Sequence, residues 1–245
     1  MRRPRIFTEQ ALVADMELAL EPGPSQHLAR VLRMGQGDEL QLFDGSGLEY
    51  RAHIVAADKR QVTVVLEAAL PGLAESPLQI HLGIGISRGE RMDLVVQKAT
   101  ELGVATISPL YTERTEVRLR GEREARKQQH WRQVAVSACE QSGRSRIPPV
   151  HEPAGLDQWL KSTDGERRLV LHHRASATRK GAQAPASLSL LVGPEGGLSD
   201  AEIAAAESAG FESLSLGPRV LRTETAPLAA LAILQAYWGD MNSLA

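Results

Sequence analysis

Leu188-Ser189-Leu190-Leu191-Val192-Gly193-Pro194-Glu195-Gly196-Gly197-Leu198-Ser199 is the stretch on which the fold turns. Leu188 to Val192 is short and, Ser189 apart, apolar on consecutive positions. A strand of that kind is buried on both faces, as in a parallel sheet. Three glycines follow, and they let the backbone bend sharply and approach a ligand closely. The carboxyl ends of parallel strands are where α/β proteins bind ligands. No Lys-Ser/Thr pair comes after the glycines, so this is not a phosphate-binding P-loop. Glu195 would repel a triphosphate and suits a cationic or hydroxyl-rich ligand. A plain tight turn would also explain these residues.

Strands and helices alternate on either side of this stretch. Leu78 to Ile86 reads as a strand. Ser87 and Glu90 have capping-box spacing, and Met92, Val95, Val96, Ala99 and Leu102 form a helical apolar stripe ended by Gly103. Val104 to Leu110 is the next strand, and Glu122 to Gln141 a charged helix. Leu169-Val170-Leu171 is another doubly buried strand. Ser199 and Glu202 have capping-box spacing again, and Gly210 ends that helix. Ser213 to Leu216 is a last strand. Ala226 to Trp238 is a helix apolar nearly all round, so it is covered in a core or a subunit interface. The Ala/Gln/Lys-rich stretch 175–187 reads as a loop.

The N-terminal third has a different character. His27 to Met34 reads as one short helix. Leu40 to Phe43 runs into Asp44-Gly45, a hairpin signal, and Tyr50 to Val55 and Val62 to Leu66 follow as strands. Such a run of short strands predicts a small barrel or sandwich over 1–70. Pro71 to Pro77 is the linker, and 78–245 is a parallel-sheet α/β domain.

The chain has 245 residues, 42% apolar and 24% charged, which excludes disordered and fibrous classes. No run approaches the roughly eighteen apolar residues of a membrane span. Met1-Arg2-Arg3-Pro4-Arg5 is basic, but no signal-peptide core follows it, and Cys139 is the single cysteine, so no disulfide can form within the chain. A reducing cytoplasm is the expected compartment. The seven histidines show no metal-binding spacing.

The net charge of −2 argues against a nucleic-acid partner, but its distribution does not. Residues 76–148 carry 12 basic and 8 acidic side chains, between segments each at net −3. From Arg114 to Arg146 the balance is 9 to 4, with Arg144 and Arg146 on the loop Glu140-Gln141-Ser142-Gly143-Arg144-Ser145-Arg146. Arginines in this setting suit phosphate contacts, though a solvated helix face has the same charge pattern.

Two further constellations stand out. Gly83-x-Gly85-x-x-x-Gly89 lies between a strand and a helix, but its third glycine is one residue late for a dinucleotide fingerprint and no acid ends the next strand. Small residues where strand meets helix account for it. Arg88 and Arg91 at the head of that helix oppose its dipole, a placement tolerated for a ligand or through exposure. Leu216-Gly217-Pro218-Arg219-Val220-Leu221-Arg222-Thr223-Glu224-Thr225-Ala226-Pro227 joins the last strand to the last helix. Thr225 can cap that helix with Pro227 in its first turn. Arg222 and Glu224 are expected close to apolar surroundings, as a functional pair or as a structural ion pair.

Together these segments resemble one family. Gly193 to Ser199 and Leu216 to Pro227 look like the two C-terminal signatures of the uridine-N3 ribosomal RNA methyltransferases, small-subunit methyltransferase E. Lys98 to Val104 and Glu140 to Arg144 are similar to its central signatures. His27-Leu28-x-x-Val31-Leu32-Arg33 and Leu42-Phe43-Asp44-Gly45 match its N-terminal domain.

The resemblance implies a PUA-like β-barrel followed by an α/β domain with a C-terminal trefoil knot. It also implies S-adenosylmethionine as donor, a homodimer, and a uridine of small-subunit ribosomal RNA, free or in the assembled subunit, as target. Donor contacts are expected from Leu171, Gly193, Glu195, Gly196, Gly197, Leu216, Gly217, Leu221, Arg222 and Thr225. Chemistry is expected from Arg222, as stabiliser of charge on a base carbonyl, and from Glu224, as base or proton relay. RNA contacts are expected from Arg2, Arg3, Arg5, Arg30, Arg33, Arg88, Arg114, Arg144 and Arg146. The loop His172-His173-Arg174 matches the family pattern less clearly. The alternatives are a knotted methyltransferase for another nucleotide and a non-catalytic RNA-binding protein.

Overall fold

The computed structural model of the chain describes residues 3–58, 60–172 and 183–241. It contains two compact units, one of residues 1–75 with 136–147 and the other of residues 76–135 with 148–245. Residues 136–147 thus group with the N-terminal unit although they lie far along the chain.

The first unit is built on a five-stranded mixed sheet of order β1-β3-β4-β5-β2. Its strands are β1 (Arg5–Phe7), β2 (Glu17–Ala19), β3 (Glu39–Phe43), β4 (Leu48–Ala57) and β5 (Val62–Pro71). β1 runs parallel to β3, and the other pairings are antiparallel. Tyr50, Ala52 and Ile54 on β4 and Val62, Val64 and Leu66 on β5 alternate into one core with Leu28, Leu40 and Leu42. That period of two is the pattern of a sheet with one buried face. At the β3–β4 turn the Asp44 carboxylate accepts the Ser46 N–H at 3.0 Å, and Gly45 takes φ 87°.

The helix expected over 27–34 is instead a π-helical turn (His27–Leu32), which continues directly from α1 (Pro22–Gln26) and ends at Arg33 with φ 54°. The wider turn buries Leu28 while Val31 and Leu32 stay exposed. Periodicity over six residues cannot separate these two helix types.

The second unit carries a six-stranded sheet of order β11-β9-β10-β6-β7-β8, parallel throughout. Its strands are β6 (Gln79–Gly85), β7 (Thr106–Tyr111), β8 (Ala154–Gly155), β9 (Arg167–Leu171), β10 (Ser187–Val192) and β11 (Glu212–Leu214). The helices are α2 (Glu90–Glu101), α3 (Glu122–Ser142), α4 (Leu156–Ser162), α5 (Asp200–Ser208) and α6 (Thr225–Trp238); the last residues of α3 group with the first unit. Leu188, Ser189, Leu190 and Leu191 are all buried, as a doubly covered strand requires.

The Ser199 capping box of α5 forms in full. The one expected at Ser87 does not: Gly89, at φ 58°, is the N-cap of α2 and no side chain caps it. The Ser87 hydroxyl lies instead 3.4 Å from Thr223 Oγ1. Thr225 also fails to cap; it is the first residue of α6, exposed, behind Glu224. Among the described residues no helix is long and apolar enough to cross a membrane.

The glycines of β6 have packing reasons. A Cβ on Gly83 would stand 2.6 Å from the Trp159 ring, and one on Gly85 would stand 2.5 Å from Pro194. Gly83-x-Gly85 is therefore a place of close approach, as expected for small residues where strand meets helix.

Candidate functional site

A cleft of about 330 Å³ opens at the carboxyl ends of β9, β10 and β11. Leu171 ends β9, Val192 ends β10, and Ser215, Leu216 and Gly217 follow β11; all of them line it, with Leu198, Ile203, Leu221 and Ala226. The volume falls in the range of small-molecule sites, and the lining is mostly apolar. The loop Gly193–Gly197 forms one wall and presents backbone on a path that side chains would block. A Cβ on Gly193 would meet Leu198 N at 2.7 Å, and Gly197 sits at φ 67°. Thr223 ties this loop to the segment before α6 by donating from its hydroxyl to Gly193 O at 3.2 Å.

Leu171, Gly193, Glu195, Gly196, Gly197, Leu216, Gly217 and Leu221 all line the cleft, as expected of them. The Glu195 carboxylate, however, is turned to α2. Its Oε1 accepts the Arg88 N–H at 2.8 Å and the Arg91 guanidinium at 3.1 Å. Partial burial works to raise the Glu195 pKa, but the hydrogen bonds from Arg88 N–H and its own N–H, with the Arg91 charge, outweigh it and hold the carboxyl below its usual range.

Arg222, Glu224 and Thr225 are not among the lining residues, although Thr223 and Ala226 between and beside them are. Arg222 is exposed and Glu224 half-buried, so the apolar surroundings expected for the pair are not found. Nor do they pair with each other among the described residues. Glu224 Oε2 faces Arg91 Nε at 3.9 Å instead.

The expected RNA-contacting arginines divide by burial. Arg3, Arg30, Arg33, Arg88, Arg114 and Arg146 are exposed, while Arg2 lies outside the described residues. Arg3 pairs with Glu39 at 2.6 Å and Arg88 pairs with Glu116. Arg114 lies along the Gly-rich loop, donating to Gly196 O at 2.9 Å, and lines the cleft.

Arg5 and Arg144 are not surface cations. Arg5, 9% exposed, donates to Glu49 at 2.5 Å and to Cys139 O at 2.6 Å, and its guanidinium rests 4.7 Å from the centre of the Phe43 ring. Arg144, 6% exposed, pairs with Glu75. Both hold residues 136–147 within the first unit. Spacing along the chain could not reveal their burial, because their partners are remote in sequence.

Reading the sequence also missed Val192, Leu198, Ile203, Arg219 and Thr223 as cleft residues. Val192 and Leu198 flank the glycine turn, so adjacency was the available signal. Ile203 and Thr223 gave none.

The cleft can hold a flat, largely apolar group between Leu171, Val192, Leu198 and Leu221 and meet its polar edges with backbone groups of the two loops. A chain that carries this parallel α/β unit and also a unit built on a mixed sheet belongs to a recognisable class. Residues 74–235 match the family model for the RNA methyltransferase domain and residues 25–67 that for the RNA methyltransferase PUA domain. The chain is an RNA methyltransferase.

Ribosomal RNA small subunit methyltransferase E from Buchnera aphidicola is 34% identical, the match covering 98% of this chain and 99% of that protein. The solved structure of ribosomal RNA small subunit methyltransferase E from Neisseria gonorrhoeae, bound to S-adenosyl methionine, is 37% identical with a TM-score of 0.92, over 98% of this chain and 99% of that one. A Legionella pneumophila protein solved with SAM as bound cofactor is 44% identical with a TM-score of 0.95, over 98% of this chain and 100% of that one. The chain belongs to the ribosomal RNA small subunit methyltransferase E family.

Proposed function

We propose that this chain transfers a methyl group from S-adenosylmethionine to N3 of a uridine in small-subunit ribosomal RNA. The observation that carries the reading is the cleft at the carboxyl ends of β9, β10 and β11, in a fold shared with relatives that bind this donor. The residues present fit the donor. The cleft is large enough, its walls are apolar where a purine would lie, and the Gly-rich loop offers backbone without a phosphate-binding Lys. Leu171, Val192, Leu198, Leu216 and Leu221 would hold the adenine side, with backbone groups of 193–197 and 215–217 around it.

S-adenosylmethionine, when bound, supplies an electrophilic methyl group on a sulfonium that leaves as a neutral thioether. Uracil N3 carries a proton at neutral pH, so that proton must leave and the charge spread over the base carbonyls must be met. Arg222 is exposed, and among the described residues no partner holds its guanidinium, so it is free to face a base carbonyl. Glu224 is assigned as the acceptor or relay of the N3 proton, and Thr225 supports the donor loop. Residues 1–70 serve RNA binding through Arg2, Arg3, Arg30, Arg33 and their surface, 71–77 link, and 78–245 hold the donor. Arg88 and Arg114 of the second unit and Arg146 of the first, with the basic stretch around them, meet phosphate.

The first unit is read as a PUA-like barrel, supported by the match at 25–67. The C-terminal chain is read as a trefoil knot, and the protein as a cytoplasmic homodimer. Support for the dimer comes from α6: Ile233 and Tyr237, one turn apart, are 47% and 71% exposed. A monomer in light scattering at micromolar concentration would count against it.

The deciding experiment is mass spectrometry of small-subunit ribosomal RNA from cells lacking the gene. One N3-methyluridine should vanish and return on complementation. A modification lost at another nucleotide would replace this reading with that of a different methyltransferase. In the purified enzyme, Glu224→Gln should lower turnover about 10²–10⁴-fold, far more than it changes donor affinity. Raising the pH should partly restore it, since more uridine is then already deprotonated. Normal turnover would remove Glu224 from the chemistry.

A further inference from the structure

We infer that Arg91 is a positioning residue that fixes both walls of the donor cleft, an inference that rests on reading that cleft as the donor site. Arg91 stands in the first turn of α2, where a cation opposes the helix dipole. Two carboxylates from other segments offset this. Arg91 Nη1 lies 3.1 Å from Glu195 Oε1, on the Gly-rich loop, and Arg91 Nε lies 3.9 Å from Glu224 Oε2, on the segment leading into α6. Glu195 also accepts the Arg88 N–H at 2.8 Å, which ties the Gly-rich loop to the turn leading into α2.

The same three segments meet again beside this cluster. Thr223 Oγ1 donates to Gly193 O, and the Ser87 hydroxyl lies 3.4 Å from Thr223 Oγ1. The residues between β6 and α2 line none of the cleft. They act on it by holding Glu195 and Thr223, each next to cleft-lining backbone. A guanidinium suits the task because its fork presents separate N–H groups to two carboxylates at once; an ammonium is a single point charge. Glu195 therefore belongs to the donor site through its backbone, and its carboxylate belongs to the clamp.

The test measures S-adenosylmethionine affinity by calorimetry and the KM for each substrate in Arg91→Ala, Arg91→Lys, Glu195→Gln and the Arg91→Ala, Glu195→Gln double variant. Each ion pair is partly exposed, so Arg91→Ala should weaken donor binding about 3- to 10-fold, with the KM for RNA unchanged. Arg91→Lys should fall between wild type and Arg91→Ala. Because Arg91 and Glu195 act through one contact, the double variant should lose less than the product of the two single losses.

A wild-type donor KM in Arg91→Ala would overturn the inference, as would independent effects in the double variant or an equal rise in the KM for RNA. Should Arg91→Ala fail to fold, Arg91→Lys and Glu195→Gln read the same clamp. Gly196→Val, which pushes on the Arg114 side chain lying along the loop, separates the two levels. If it too binds donor normally, the cleft is not the donor site. If it loses the donor while Arg91→Ala does not, the clamp alone fails.

Discussion

Gly85→Ala adds one methyl group at the end of β6, directly under the Gly-rich loop. Its carbon would stand 2.5 Å from both N and Cδ of Pro194 and 3.0 Å from Gly193 C. Ordinary carbon contacts lie near 3.5–4.0 Å, so Pro194 must retreat by about 1 Å. The obstacle is loop backbone and a proline ring, not the free end of a flexible side chain. Overpacking of this kind costs about 1–3 kcal/mol, which for a chain of this size is a fall in Tm of roughly 2–12 °C. Retreat of Pro194 carries residues 193–197 with it. Loss of about one backbone hydrogen bond to the donor is worth up to about 1.5 kcal/mol, so S-adenosylmethionine affinity should fall about tenfold. Thermal melts and calorimetry with the donor read the two effects. Gly89→Ala is the comparison: Gly89, at φ 58° and ψ −135°, has nothing within 4 Å of a new Cβ, so it should cost only backbone strain of about 1–3 kcal/mol, without pushing on the Gly-rich loop. Wild-type Tm and donor affinity in Gly85→Ala would refute the reasoning.

Arg144→Ala should act first on stability. It leaves Glu75 without its partner inside the first unit, a loss of about 3 kcal/mol in urea denaturation, with any change in RNA affinity following from that. Unchanged stability with weakened RNA binding would return Arg144 to the RNA surface. Burial above all pushes the Cys139 thiol up to about 12, and burial followed by the Glu124 hydrogen bond pushes the Tyr111 phenol to about 12. Both groups keep their protons longer in the folded chain, so their contribution to stability is whole below about pH 9 and is lost as pH rises towards 12. Denaturation midpoints should fall over that window, and Cys139 should react with a thiol reagent at pH 8 only after unfolding. Rapid labelling of the native protein would contradict the burial.

The strands were legible wherever their two faces have one character. Leu188 to Val192 is nearly continuous in apolar residues because both faces of β10 are covered, and Tyr50 to Ile54 alternates because one face of β4 is. Helix starts were legible only where the cap is local. Ser199 and Glu202 satisfy each other within one turn. Ser87 and Glu90 have the same spacing, but Gly89 turns the chain left-handed before α2 and Ser87 faces Thr223, a residue that no local pattern could supply. The same limit governs the arginines. Their number between Arg114 and Arg146 is plain in the sequence, yet Arg144 is buried against Glu75, Arg114 lies along the Gly-rich loop, and Arg146 is exposed. Charge counts give the sign of a segment, and the distant partner decides which charges remain for a ligand.

That limit also explains where the cleft lies. In an open parallel sheet, ligands bind where neighbouring strands send their following loops in opposite directions. Here β6 and β10 are adjacent; the chain leaves β6 towards β7 on one side and leaves β10 for β11 on the other. The general rule therefore predicts a site over the β6–β10 boundary. That crevice is filled: Pro194 packs on Gly85, and Glu195 reaches across to Arg88 N–H and Arg91. The open space lies one strand further on, at the ends of β9, β10 and β11, with the segment from Ser215 to Ala226 along it. The tight contact at Gly85 and the clamp at Arg91 are thus two parts of one arrangement. They close the crevice and leave the backbone of the Gly-rich loop to face the cleft, which is why its side-chain-free residues matter more to the site than its one carboxylate.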